Sequence, residues 1–269
     1  MRIVVKIGTS TIAPGGKVDV QRMRTLVDQF DLDQHEYLMV TSGAIASGMS
    51  AIGLTERPKA VPIMQACAAV GQSVLMRLYE RLFYGKKPVA QLLLTSDDFT
   101  SPVRYQNLQN AIHELLKLGV VPVINENDSV SVRELVGAFG DNDELSALLA
   151  TACKADWLIL LTDVDGFYMP VGQGKGKQKK LVRTIRSVTP EIEAACGPIS
   201  SQGTGGMRSK LRAAQVATAS GVHVAIVSGK HPRAVLFALE RKIGTYFPPV
   251  SPGKPPSKTK RVLAAGKKS

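Results

Sequence analysis

The sequence predicts an α/β protein built on a mainly parallel open sheet with helices on both faces. Three observations carry this. Short β-branched runs alternate with longer amphipathic stretches along the chain. Several of those runs, such as VVPVI and WLILL, are apolar at every position, as strands covered on both faces are. Four of them give way at once to small or polar residues, which in a parallel sheet places those residues together at the carboxyl edge.

The elements follow in order. RIVVKI (2–7) reads as the first strand, and a helix over 19–30 opens at Asp19, a residue suited to capping. A strand at 37–41 precedes a long helix over 62–83 that begins at Pro62. After a strand at 88–94, a helix over 104–118 carries Leu108, Ile112, Leu115 and Leu116 on one face, and Gly119 stops it. A strand at 120–124 leads to a helix over 142–153 with apolar residues at 145, 148, 149 and 152. Strands at 157–162 and 222–227 flank a helix over 207–219, and IGTYF (243–247) adds a last strand. The composition of PPVSPGKPPSKTK then ends the fold, so residues 1–248 are expected to form the domain and 249–269 a flexible basic tail.

The net charge of +12 invites a nucleic-acid partner, but its distribution argues otherwise. Residues 171–186 and 251–269 each hold six Lys/Arg and no acid; of the 34 basic residues, removing these twelve leaves 22 against 22 acidic ones. The basicity belongs to an expected loop and the tail, with weak anion attraction as the sharper alternative. Three scattered cysteines show no metal or disulfide spacing and suit a reducing cytoplasm. No signal peptide precedes the first strand, and no apolar run is expected to span a membrane.

The strand ends hold the polar clusters Gly8-Thr9-Ser10, Thr41-Ser42-Gly43, Asn125-Glu126-Asn127-Asp128 and Thr162-Asp163-Val164-Asp165. Each alone fits an ordinary turn; four on one edge point to a site. Lys6 interrupts an otherwise apolar strand. It is either a solvent-facing edge residue or an ammonium aimed at an anion over Gly8. GDNDE (140–144) heads a helix with more acid than capping requires. GTGGMRSK (203–210) also heads a helix, but lacks Walker A spacing. Its backbone N–H groups and Lys210 suit phosphate oxygens, and with Lys6 they suggest two cations flanking a transferring phosphoryl group. The four histidines form no cluster and suggest neither a triad nor a metal site. QACAAVGQ (65–72) reads as close helix packing or a subunit contact.

KIGTS, VTSGAIASG, QACAAVGQ, VINENDSV, GDNDELSALLA, LLTDVDG and GTGGMRSK occur in this order over residues 2–248. On these motifs the chain resembles the glutamate 5-kinases, a branch of the amino acid kinase family. The resemblance implies a three-layer αβα sandwich, with the amino acid held by the N-terminal part and ATP by the C-terminal part. It implies transfer of the γ-phosphoryl of ATP, with Mg²⁺, to the side-chain carboxylate of L-glutamate in the first step of proline biosynthesis. By motif position Lys6 and Lys210 look like phosphate lysines, and Asp143 like the acid that organises them. Ser42, Asn125, Asp128 and Asn142 look like substrate contacts. Gly8, Thr162, Asp163, Thr204, Gly205, Gly206, Met207, Arg208 and Ser209 look like nucleotide contacts. Proline as a feedback inhibitor and a homodimer or tetramer are further traits of the family.

Two features depart from the pattern. Typical bacterial members continue into a C-terminal PUA domain, whereas this chain is expected to stop in its basic tail. The stretch between Asp128 and Asn142 is about two residues longer. The rival readings are a sibling kinase acting on another carboxylate or phosphate, such as N-acetylglutamate, and a regulatory or RNA-binding protein on a kinase fold. Asp128 speaks against the first, since an acylated amine has no charge to pair with it.

Overall fold

The computed structural model describes residues 1–131, 142–171, 178–196 and 206–250. β1 (Arg2–Ile7) runs into a short α1 (Thr9–Ile12), and α2 (Val20–Val27) starts where Asp19 accepts from the Arg22 amide at 3.0 Å. β2 (Glu36–Val40), α3 (Ala44–Ile52), the 23-residue α4 (Val61–Phe83) and β3 (Val89–Leu94) follow. Then come α5 (Asp97–Thr100), α6 (Pro102–Lys117), β4 (Val121–Glu126), α7 (Asn142–Ala152) and β5 (Trp157–Thr162). The last part holds a hairpin of β6 (Tyr168–Val171) and β7 (Gln178–Leu181), α8 (Pro190–Ala194), α9 (Met207–Ala219), β8 (His223–Ser228), α10 (Ala234–Leu239) and β9 (Thr245–Phe247).

Among the described residues the main sheet has the order β3-β4-β2-β1-β5-β8-β9, parallel except for β9 against β8. Two apolar clusters cover its faces. One gathers Val4, Leu38, Leu158 and Leu160 with α6, α7 and α9; the other gathers Ile3, Val5, Met39 and Ile159 with α2, α4 and α10. This is the expected layered sandwich. The apolar-at-every-position runs are explained by it, because each central strand buries both faces.

Three expectations need correction. β4 extends through Asn125 and Glu126, which pair with Leu93 and Leu94 of β3, so the polar residues there are strand, not turn. The basic stretch 171–186 includes strand β7, whose lysines are exposed, so it is a hairpin arm in part and not simply a loop. And α4 is long and apolar enough to cross a membrane by length and composition alone. Its buried residues, however, include Tyr79, Leu82 and Phe83 in the core and Cys67, Gly71 and Leu75 against α3. Two glycines let that pair close. A Cβ on Gly48 would lie 1.8 Å from the Cys67 carbonyl oxygen, and one on Gly71 would lie 1.8 Å from that of Ala44. QACAAVGQ is close helix packing, as its small residues suggest.

Candidate active site

The carboxyl edge of the sheet gathers the polar clusters. Lys6 lies near the end of the central strand, with Val40 of β2 and Leu160 of β5 as its register partners. It is therefore not on a solvent-facing edge; it is 6% exposed. Its Nζ meets Asp143 Oδ1 at 2.7 Å. The other oxygen of Asp143 takes Lys210 Nζ at 3.0 Å and Ser209 Oγ at 3.0 Å. Residues from β1, the head of α7 and the first turn of α9 thus meet on one fully buried carboxylate.

The electrostatics follow from that geometry. Burial raises the Asp143 pKa, but the two ammonium groups outweigh it and hold the carboxyl at about 2. The ionised Asp143 holds the two lysine side chains one carboxylate apart. A lysine pair of this kind, one member of it in the first turn of a helix, suits a phosphoryl group between two oxygens. Gly8 leaves room in front of it: a Cβ there would sit 3.7 Å from Lys6 Nζ.

A second, uncharged group adjoins the first. Asn142 Nδ2 donates to Ser42 Oγ at 3.2 Å and to Asn125 Oδ1 at 3.1 Å. All three side chains are buried. Asp128 is buried two residues beyond β4; burial first and Glu126 second raise its pKa to about 7, against the pull of Arg57. Its Oδ1 has no hydrogen-bond partner among the described residues.

The structure thus brings the sequence-predicted Lys6, Asp143, Ser209 and Lys210 into one cluster and Ser42, Asn125 and Asn142 into another, joined through the neighbours Asn142 and Asp143. Thr162 and Asp163 lie at the end of β5, the strand beside Lys6, where Thr162 Oγ1 donates to Asp163 Oδ1 at 3.1 Å. Gly206 caps α9 and Met207 and Arg208 open it. Thr204 and Gly205 lie outside the described residues, as do positions 132–141 of the longer stretch before Asn142. Sequence reasoning missed Arg57, which acts on Asp128, and Gln72, to which Asn125 donates at 3.0 Å. Neither residue carried a sequence signal of its own: Gln72 shares α4 with Gln65, Ser73, Arg77, Glu80 and Arg81.

Residues 1–228 match the amino acid kinase family, and the chain belongs to that family. Solved structures support the architecture: the carbamate kinase from Giardia lamblia bound to AMP-PNP superposes with a TM-score of 0.60 at 19% identity, over 93% of this chain and 98% of the other. An isopentenyl phosphate kinase gives 0.61 at 17%, over 92% and 100%. At the level of particular proteins, the relatives are glutamate 5-kinases. That of Trichormus variabilis is 43% identical over 98% of this chain and 73% of its own length. That of Clostridium acetobutylicum is 42% identical over 92% of this chain and 94% of its own.

Proposed function

We propose that the chain is an ATP-dependent kinase that phosphorylates the side-chain carboxylate of L-glutamate, giving L-glutamyl 5-phosphate. The observation that carries the mechanism is the convergence of Lys6 and Lys210 on buried Asp143. The nucleophile is already ionised, because a free glutamate side chain has a pKa of about 4.3. No general base is required. The difficulty is bringing an anion to a polyanion, and positioned cations answer it.

In this reading the γ-phosphoryl passes between the two lysines, and Asp143 sets their spacing. Gly8 and the head of α9, with Thr204 to Ser209, receive the nucleotide phosphates; Thr162 and Asp163 contact the nucleotide. Ser42, Asn125, Asp128 and Asn142 hold the amino acid, with Asp128 on its ammonium. Among the described residues no group of three or more His, Cys, Asp or Glu side chains could hold a metal ion. In this reading Mg²⁺ enters as part of the Mg–ATP substrate. Residues 1–248 form the catalytic domain of a cytoplasmic enzyme, with the basic tail outside it.

Two finer points belong to the same reading. Proline, also a charged amine with a carboxylate, competes for the acceptor pocket. Exposed Ile52, Leu54, Ile63 and Val70 on α3, its following turn and α4 support a homo-oligomer. The test is ADP release with L-glutamate and Mg–ATP, with the acyl phosphate trapped by hydroxylamine. Hydroxamate must form with glutamate and not with N-acetylglutamate; the reverse preference overturns the substrate assignment.

A further inference from the structure

The uncharged cluster does not end at Asn125. Asn125 Nδ2 donates to Gln72 Oε1 at 3.0 Å, and Gln72 Nε2 donates to Gln91 Oε1 at 3.0 Å. Four amides from α4, β3, β4 and α7 therefore form one chain, from exposed Gln91 to buried Asn142. An amide donates at one end and accepts at the other, so the sense of each fixes the sense of the next.

That sense is anchored by the backbone. The Glu126 N–H donates to Asn125 Oδ1 at 3.0 Å, a bond that only an oxygen can accept. Asn125 must then turn its NH₂ toward Gln72. On the inner side, Asn125 Oδ1 and Ser42 Oγ take both amide hydrogens of Asn142. Asn142 Oδ1 is left buried without a hydrogen-bond partner among the described residues, like Asp128 Oδ1. Each is an acceptor of the kind an ammonium group, which carries only donors, would satisfy. With the chain reversed, Asn142 would present an NH₂ there and repel it.

We infer that Gln72 is a positioning residue: by accepting from the Asn125 NH₂ that the Glu126 N–H turns toward it, it holds Asn125, and through it the Asn142 amide, where the Asn142 oxygen faces the ammonium group of the acceptor. Its own placement comes from the preceding residue, Gly71, whose missing side chain seats α4 against the Ala44 carbonyl. Seven residues on, Tyr79 exchanges a hydrogen bond with Thr41 at 2.7 Å, next to Ser42. α4 thus touches the site twice without lining it.

The inference rests on the acceptor reading above, and the test separates the two. Gln72→Met removes the acceptor with little change of volume. It is expected to raise the KM for L-glutamate about tenfold, with kcat and the KM for ATP within about twofold. Gln91→Met, at an exposed position, is expected to shift the same constant about threefold, whereas Gln91→Glu, which keeps the acceptor for Gln72, stays within about twofold of the parent. If Gln72→Met does not fold, the contrast between the two Gln91 variants decides. An unchanged glutamate KM, or equal rises in both KM values, overturns the inference. Side-chain amide resonances of Asn125 and Asn142 in the substrate-free protein provide a readout independent of the substrate. They must move in Gln72→Met and stay in Gln91→Glu; resonances that stay in both overturn the inference even if the parent protein proves inactive on glutamate.

Discussion

Asn142 and Asp143 are neighbours at the head of one helix, yet they face opposite chemistries. Asp143 is ionised between two lysines, whereas Asn142 is neutral and bonded to a hydroxyl and another amide. On the phosphoryl side position is set by charge, which acts over distance and strengthens in a dry interior. On the acceptor side it is set by hydrogen-bond direction, which is weaker but distinguishes a donor from an acceptor. If the proposed reading holds, the device that stabilises a moving anion and the device that recognises one small metabolite are kept on separate neighbours of one helix.

The contrast predicts unequal losses. Lys6→Ala or Lys210→Ala should lower kcat by about 10²–10³, the effect of removing a preorganised charge at the transition state, with a much smaller change in the glutamate KM. Steady-state kinetics on either variant at near-parental turnover would erase the distinction between the two sides.

A smaller effect should follow from Asp128→Asn, which in the proposed reading removes a charge-assisted bond to the substrate ammonium. A rise of roughly 10–100-fold in the glutamate KM is expected, with kcat largely kept. The same residue gives the acceptor side its pH dependence. Its pKa of about 7 lies above the ordinary 3.8, so the unliganded fold holds a proton that the unfolded chain has lost. Its contribution to stability is present below about 4 and disappears as pH rises through 7. Substrate binding needs the carboxylate, so the glutamate KM should fall between pH 6 and 8 in the parent and lie flat in Asp128→Asn. Asp143 has the opposite sign, since its contribution is lost only as pH falls from about 4 toward 2. The mildest change, Ser209→Ala, removes one bond to Asp143 while both lysines stay; it should cost about 1 kcal/mol in thermal unfolding and less than tenfold in kcat.

Much of this was legible beforehand, for physical reasons that differ by residue. The central strands announce themselves because burial on both faces requires unbroken apolar runs. Lys6 stood out against that background, but only the parallel register decided between a solvent-facing edge and the middle of the sheet. Asp143 and Lys210 were visible as local excesses of charge at two helix heads. Their meeting across 67 positions is encoded by no local pattern, and was expected only through the family resemblance. Gln72 was hidden by its surroundings: the small-residue helix reads as packing, which it is, and one glutamine in it carries no periodic signature. Strand β7 was missed because its Gln and Lys residues have neither alternation nor apolar character.

The pairing of β1 on both of its edges has a dynamic consequence. A backbone held by neighbours on its left and right, from Ile3 to Lys6, cannot swing outward without tearing the sheet. The first lysine is therefore carried by the most firmly held backbone of the site. The second sits in the first turn of a helix laid on one face of that sheet, and meets the first only through the carboxylate they share.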